Sequence, residues 1–384
     1  MSLEPACVIV CPTQAILAGD LDNPGSKVSR TIANKKVSVR KPQKGTQPKL
    51  FYVGIEGDLL EPSRISREDT YFAADRREEP LDVGKDDGIN LAGSLAREVY
   101  DVAHRERWGW KIAAYLWTKA ISAGALLVAA MLLSFTRLTA PAMFNIVCPA
   151  VALAALAATS ALLIFDLKRP DRFFYLITKP NFRSWLVIGS YFLMAYGALA
   201  AVWLLCGVMD GSVPIALQWL AAAFAIASAC YSAFLFAQAK GRDLWQSPLF
   251  LWHLLAQALT AGSATILIAG YFIETPLEIR NTTILILLIS LFISLAMILG
   301  EIALPHVSED VRIATQELIK GKLSGRFWGL AVCAGMVAPI ILAIVAYWST
   351  ASAVFPIAAA TLALAGVWWF EDLWIKAGQS APLS

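Results

Sequence analysis

Eight long apolar runs constrain this chain more than any other feature of its sequence. A helix needs about 20 apolar residues to cross a hydrocarbon core about 30 Å thick, since each residue advances it by about 1.5 Å. The sequence therefore predicts an all-α polytopic membrane protein, a bundle of about eight transmembrane helices. The runs cover residues 112–134, 142–165, 184–208, 214–238, 247–272, 282–303, 327–348 and 351–370.

The composition agrees with lipid as the solvent. Of 384 residues, 58% are apolar and 16% are charged, whereas an ordinary soluble domain has about 45–50% and about 25%. The polar residues concentrate in the first 110 positions, ahead of the apolar runs. A net charge of +3 is too small for an extended nucleic-acid surface. We expect no nucleic-acid partner.

Basic residues between the runs predict the orientation. Cytoplasmic loops of membrane proteins carry an excess of Lys and Arg, and the side opposite the N-terminal region holds only Arg137 and Arg280. Met1–Asp20 shows no secretory signal pattern. We therefore expect residues 1–110 and the C-terminus in the cytoplasm, with the chain in the cell inner membrane. On the N-terminal side the basic residues are Lys168, Arg169, Arg172, Lys179, Arg183, Lys240, Arg242, Arg312, Lys320, Lys322, Arg326 and Lys376.

The longest link between the runs, residues 305–326, carries an apolar pattern of its own. Val311, Ala314 and Leu318 recur at the spacing of one helix face. The pattern predicts a short amphipathic helix at the membrane interface.

Five polar side chains within or at the ends of the runs are candidate site residues, since ionisable groups in hydrocarbon are costly and often functional. Helix alternation places all five in the membrane half nearest the N-terminal region, and such groups among apolar walls suit a quinone head. His253 could protonate a reduced oxygen, and a carboxylate could relay the proton. A structural ion pair or a snorkelling lysine is the alternative, as is a helix-end carboxylate paired with a neighbouring arginine. The five are Lys119, Asp166, His253, Gln257 and Glu301.

Cys7 and Cys11 stand apart from the other four cysteines, which fall in the apolar runs and are interpreted as small hydrophobic residues. The two form a C-x3-C-P pattern that ends with Pro12, and thiolates are the usual ligands of iron–sulfur clusters. The flanking stretches EPACVIVCPTQAI, GDLDNPGSKVS and KLFYVG closely resemble the end of four-cluster iron–sulfur subunits of the dimethyl sulfoxide and polysulfide reductase type. That resemblance implies that both cysteines ligate a 4Fe–4S cluster.

The membrane part resembles the NrfD/polysulfide reductase membrane-subunit family. The motifs that carry the resemblance are WGWK at 108–111, DLKRPDRF at 166–173 and AGQ at 377–379. It implies a quinone, menaquinone or ubiquinone, bound in the bundle, and a partner iron–sulfur subunit that serves a molybdopterin catalytic subunit. The chain would then be a subunit without the catalytic centre. Arg169 and Arg172 would shape the rim where the cluster domain docks.

We interpret the chain as three parts: residues 1–58 as the C-terminal part of a ferredoxin-like unit, 59–107 as a charged linker, and 108–384 as the transmembrane domain. A cubane needs four ligands, and only Cys7 and Cys11 of this pattern are present. The remainder could lie further upstream, could be a separate polypeptide, or the cluster could be lost; a split or truncated unit is the preferred interpretation.

Two other function classes remain open at this stage. The first is a proton-coupled transporter of ions or small solutes that uses Lys119 and Glu301; the interrupted helices in matching halves that would favour it are not found. The second is a membrane anchor for the iron–sulfur subunit without quinone chemistry.

Overall fold

The protein is a bundle of eight long helices with a small segment docked at one end. The computed structural model describes residues 4–40, 42–55, 60, 108–135, 140–167, 170–273, 275–303, 306, 308–349 and 353–381. The predicted linker therefore lies outside the described residues, apart from residue 60.

The eight predicted helices are confirmed, and each is long and apolar enough to span a membrane. Most bounds agree with the apolar runs to within about three residues, and two differ by more. The sixth helix begins at Leu277, ahead of the apolar run. The run started later because the first turn of the helix carries the charged residues Glu278 and Arg280. The eighth helix continues past residue 370 to Ala377. The apolar run ended at 370 because two acidic residues follow, but these lie within the helix. In order, the spanning helices are Trp110–Ser134, Ala142–Asp166, Trp185–Met209, Ile215–Ala237, Leu249–Phe272, Leu277–Ala303, Ser324–Trp348 and Val354–Ala377.

Two of these helices contain a π-helical stretch at or near their start. Residues Ala142–Val147 are π-helical before the regular helix Cys148–Asp166. Residues Phe327–Val337 are π-helical before Ala338–Trp348. In both, a proline stands in the first turn of the regular helix that follows. A proline there cannot donate a backbone hydrogen bond to the preceding turn, which favours the wider winding.

The first helix is the centre of the bundle. Of its most apolar stretch 72% is buried, more than in any of the other seven. It crosses the fifth helix at Gly124 and Gly262, where a Cβ on either glycine would come within about 2 Å of a backbone atom of the other helix. Small residues let two membrane helices approach this closely. Side chains of the first and fifth helices near this crossing are therefore held close together.

The amphipathic helix predicted in the 305–326 link is observed as Glu309–Ile319. The Ser308 hydroxyl accepts a hydrogen bond from Val311 N at its start, which is an N-cap. Ala314 and Leu318 are buried and Val311 is half-buried, so the apolar face predicted from the sequence packs against the bundle.

The N-terminal segment is small and has little regular structure. It contains the helices Ala6–Val10 and Lys27–Asn34 and one antiparallel pair of two-residue strands, Val37–Ser38 with Tyr52–Val53. We call the bundle end that holds residues 108–110, 181–183 and 245–249 the proximal end, and the opposite end the distal end. The segment docks at the proximal end, where the Asn181 N–H donates to Pro12 O at 2.9 Å.

The first and last motifs of the membrane part meet at the proximal end. The Gln379 side chain donates to Trp108 O at 2.8 Å and accepts from Trp108 N at 3.1 Å. The Trp108 ring stacks on Trp245 with centroids 4.6 Å apart. Trp245 in turn packs on Gly378, where a Cβ would lie 2.0 Å from its indole nitrogen. These contacts join the two ends of the transmembrane domain.

Candidate functional site

A buried charge cluster lies between the first, fourth, fifth and eighth helices. Lys119 and Glu371 are each only 1% exposed, and they interact electrostatically. Gln257 is within hydrogen-bonding reach of Glu371. A buried charge is tolerated when an opposite charge and hydrogen bonds compensate its lost hydration. We call Lys119, Gln257 and Glu371 the interior cluster.

Aromatic and hydroxyl groups hold Lys119 in place. Its ammonium donates to the Ser232 hydroxyl, which also hydrogen-bonds Tyr115. The same ammonium lies 4.8 Å from the ring centroid of Tyr231 and 5.3 Å from that of Tyr115. Cation–π attraction strengthens where water is excluded, as it is here. The interior cluster keeps unused hydrogen-bonding capacity, however, because Glu371 Oε2 and Gln257 Oε1 have no hydrogen-bond partner among the described residues.

A second polar group lies one turn nearer the proximal end. His253 precedes Gln257 by four residues on the fifth helix, so the two share a face. His253 is 2% exposed, and its Nε2 lies 3.5 Å from Glu301 Oε2. The Ser247 hydroxyl donates to Glu301 Oε1 at 2.8 Å. Phe370, the neighbour of Glu371 in the chain, stacks on the His253 ring with centroids 5.3 Å apart.

Glu301 and Ser247 line a cavity of about 490 Å³ that we call the proximal cavity. Most of its walls are apolar, and His306 and Gln246 add further polar groups. The amphipathic helix and the starts of the fifth and seventh helices enclose it. A mostly apolar cavity with a few convergent polar groups suits a small amphipathic ligand. Its apolar walls include Leu244, Ile298, Ile302, Val311, Phe327, Phe370 and Trp374.

The predicted site residues divide into three groups. His253 and Glu301 lie together beside the proximal cavity, as expected. Lys119 and Gln257 lie close to each other but deeper, and neither lines that cavity. Asp166 and Arg172 are exposed at the proximal end, and Arg169 lies outside the described residues.

Glu371 is the site residue that sequence reasoning missed. The apolar run ends at Phe370, so the acidic pair that follows is typical of a solvated flank. The helix instead continues, and Glu371 and Trp374 share a face with Val367 and Phe370. The apolar residues beyond Glu371, namely Leu373, Trp374 and Ile375, were the signal that could have placed it inside the bundle.

Cys7 and Cys11 lie in the docked segment, outside the spanning helices. Backbone N–H groups surround the Cys11 sulfur, and that of Ala15 donates at 3.2 Å. Partial burial acts to raise the pKa of the Cys11 thiol, but hydrogen bonds from Thr13, Ile16 and Ala15 outweigh it, and the pKa lies below its ordinary value. Such N–H···S contacts favour the thiolate, which is the form that ligates iron.

The two cysteines do not make a complete cluster site. A cubane needs four ligands, and all six cysteines of the chain are described, with the other four in the spanning helices. Within the described ranges no group of three His, Cys, Asp or Glu residues could hold a metal ion. Cys7 and Cys11 therefore fit half of a 4Fe–4S ligand set.

Asn181 fastens this half-site to the bundle. Its side-chain amide donates to Cys11 O at 2.7 Å and to Ile9 O at 3.2 Å, and the residue is 3% exposed. Arg183 forms an ion pair with Glu4 at 2.5 Å. The link between the second and third helices thus holds the cysteine segment. The residues that do so are Asn181 and Arg183, which were not among the residues predicted for the docking rim.

Comparison with known proteins gives matches to both parts of the chain. The family model described as polysulphide reductase, NrfD, matches residues 99–381. The C subunit of the polysulfide reductase of Wolinella succinogenes is 26% identical over 302 residues, which cover 71% of this chain and 94% of that protein.

The N-terminal segment matches iron–sulfur subunits. The iron–sulfur subunit ArrB of the arsenate respiratory reductase of a Shewanella species is 51% identical over 51 residues, or 13% of this chain and 22% of that subunit. The B subunit of the W. succinogenes polysulfide reductase is 50% identical over 50 residues, again 13% of this chain and 26% of that protein. The chain therefore spans about a quarter of the length of these two relatives.

Proposed function

Because the chain belongs to the polysulphide reductase NrfD family, and so is a multi-pass membrane subunit of a redox complex, we propose that it binds a membrane quinone in the proximal cavity. There it exchanges electrons between the quinone and an iron–sulfur partner docked at the proximal end. The observation that carries the proposal is the His253–Glu301 pair at the edge of that cavity.

The cavity suits a quinone head in size and chemistry. Its volume of about 490 Å³ lies in the range of small-molecule sites. Within the described part of the chain, the buried Nε2 of His253 has no hydrogen-bond partner, and it faces Glu301 Oε2 at 3.5 Å. A quinone, when bound, accepts two electrons and two protons at its carbonyl oxygens, so a buried site must supply or remove protons.

The residues of the site have distinct roles in this proposal. Glu301 faces the cavity and exchanges the proton with the ligand oxygen, while His253 behind it restores the proton. Ser247 donates to Glu301 Oε1 and thereby fixes the direction of the carboxylate. His306 lines the same cavity and interacts electrostatically with Glu301, so it connects the pair with water: it releases the proton when quinol is oxidised and supplies it when quinone is reduced. The interior cluster of Lys119, Gln257 and Glu371 lies one turn deeper and stabilises the charge that develops at the site during this exchange.

The test replaces the proton-exchanging residues in the complex as it is extracted from membranes. We expect E301Q and H253A each to lower quinone-dependent turnover by a factor of about 100 or more, which is the usual contribution of acid–base catalysis. E278Q is the matched control, since Glu278 is an exposed residue at the distal end of the same helix. Wild-type turnover in both test variants, with unchanged quinone content per chain, would refute this site.

Electron exchange requires a cluster near the proximal end. In this proposal Cys7 and Cys11 supply two thiolates, and the others come from iron–sulfur protein outside these 384 residues, which in turn serves a molybdopterin catalytic subunit. No cluster step is assigned to this chain, because it holds only half of the ligands. A C7S/C11S double variant should lower the iron content of the purified complex by about four atoms per chain. Unchanged iron would show that the cysteines bind no cluster.

The proposal includes an orientation, with the proximal end and both termini in the cytoplasm of a cell inner membrane. The bias of basic residues toward the proximal links supports it. K240C and D210C place new cysteines at exposed positions of the proximal and distal ends. A membrane-impermeant maleimide added to whole cells should label only D210C, and labelling of K240C instead would reverse the orientation.

A further inference from the structure

A second cavity, of about 370 Å³, lies at the distal end of the bundle. We call it the distal cavity. The end of the fifth helix and the starts of the sixth and eighth helices enclose it, together with Thr275 from the link. It belongs to neither the interior cluster nor the proximal cavity, since it shares no residue with either.

Arg280 is the charged group of this cavity. Its Nε and Nη2 atoms are buried and have no hydrogen-bond partner among the residues that the structure describes. None of the described residues that line the cavity carries a carboxylate. An arginine keeps its charge at any physiological pH, and a buried charged donor without an acceptor is costly. The cavity is therefore better suited to an anionic ligand than to a neutral molecule.

The surroundings of Arg280 identify the kind of anion. Ile266, Leu267 and Ile357 give the cavity an apolar wall beside the guanidinium. Tyr271 on its rim is 62% exposed, and Phe272 next to it is 79% exposed at the end of the fifth helix. Exposed aromatic residues at helix ends mark the level of the lipid headgroups. The cavity is thus positioned where a phosphate and an acyl chain meet.

We propose that the distal cavity binds the headgroup of an anionic phospholipid. The guanidinium of Arg280, which lines the cavity, donates to the phosphate, and its planar shape allows pairing with two phosphate oxygens at once. The first part of an acyl chain lies against Ile266, Leu267 and Ile357.

Native mass spectrometry of the detergent-solubilised chain tests this site, with phosphatidylglycerol and phosphatidylcholine as probes. We expect one tightly retained phosphatidylglycerol per wild-type chain and weaker binding of phosphatidylcholine. R280Q should weaken phosphatidylglycerol binding about tenfold or more, or about 1.4 kcal/mol. R280K, which keeps the charge but not the paired donors, should lose less. R326Q is the matched control, because Arg326 is exposed at the proximal end.

A variant that leaves Arg280 intact protects the test from a folding artefact. I357W should fill the cavity from its apolar side and also weaken phosphatidylglycerol binding. Equal binding of the two lipids by the wild type, or equal phosphatidylglycerol binding by R280Q and R326Q, would overturn the proposal. Displacement of the lipid by millimolar inorganic phosphate would also overturn it, since the site would then serve a free anion.

Discussion

Replacing Glu371 by glutamine should leave the Lys119 ammonium buried without its counter-charge. Both residues are 1% exposed, so neither can reach water without a rearrangement of the bundle. Removal of one partner from a direct buried ion pair costs about 3–5 kcal/mol. Lys119 and Glu371 interact electrostatically without an ion-pair contact, so we expect a loss below that range but above the roughly 0–1 kcal/mol of a surface pair. Glutamine can still hydrogen-bond Gln257, and the variant therefore isolates the effect of charge. Unfolding in mixed detergent micelles, with the apparent free energy compared to wild type, measures the loss.

Two further variants decide whether the interaction of Lys119 with Glu371 is the cause of the stability loss in E371Q. Asp372 is the next residue and pairs with Lys376 at 2.7 Å; its side chain is 7% exposed, but that of Lys376 is 28% exposed, so water partly screens the pair. D372N should therefore cost less than E371Q. The K119M/E371Q double variant should recover much of the stability lost in E371Q, because no unpaired charge remains. A double variant whose loss equals the sum of K119M and E371Q would refute the coupling.

Three other predictions concern the docked segment and the helix crossing. N181A removes the hydrogen bonds to Ile9 O and Cys11 O. Each bond contributes about 0.5–1.5 kcal/mol, so hydrogen exchange of the backbone amides of residues 4–16 should become about tenfold faster. Unchanged exchange would show that Asn181 does not hold the segment. In a C7S variant, alkylation of Cys11 should follow a pH profile with a midpoint below 9.0, because backbone N–H groups lower its pKa. The folded state favours the Cys11 thiolate, so its hydrogen bonds stabilise the fold above pH 9.0, and this stabilisation is lost as the pH falls through the lowered pKa. An alkylation profile equal to that of the unfolded chain would contradict the prediction. G262A places a Cβ about 2 Å from Gly124 O and should lower thermal stability more than G300A, at a glycine with open space.

The sequence predicted the helices well because lipid imposes a simple length requirement. Lys119 lies eight residues past Lys111, and that spacing alone indicated a deep charge. The partner of Lys119 could not be predicted in the same way. The spanning helices are apolar on nearly all sides, so their patterns do not show which faces meet, and close contacts such as Gly124 with Gly262 decide it.

The prediction of where the eighth helix ends was wrong for a related reason. A count of apolar residues stops at the first charge, yet Glu371 lies inside the protein, where it interacts with Lys119 and Gln257. Asp166 shows the converse. It ends an apolar run as Glu301 nearly does, but it is exposed while Glu301 lines a cavity. The difference lies in the packing of neighbouring helices, which a single sequence does not display.

The pairing of the first spanning helix with the last has a consequence for biogenesis. Lys119 enters the membrane with the first helix, whereas Glu371 is synthesised only with the eighth. At roughly 5–20 residues per second, ribosomes need roughly tens of seconds to make the intervening chain. During that interval the lysine must remain hydrated or shielded by the insertion machinery. Final closure of the bundle around the first helix therefore waits until the end of translation.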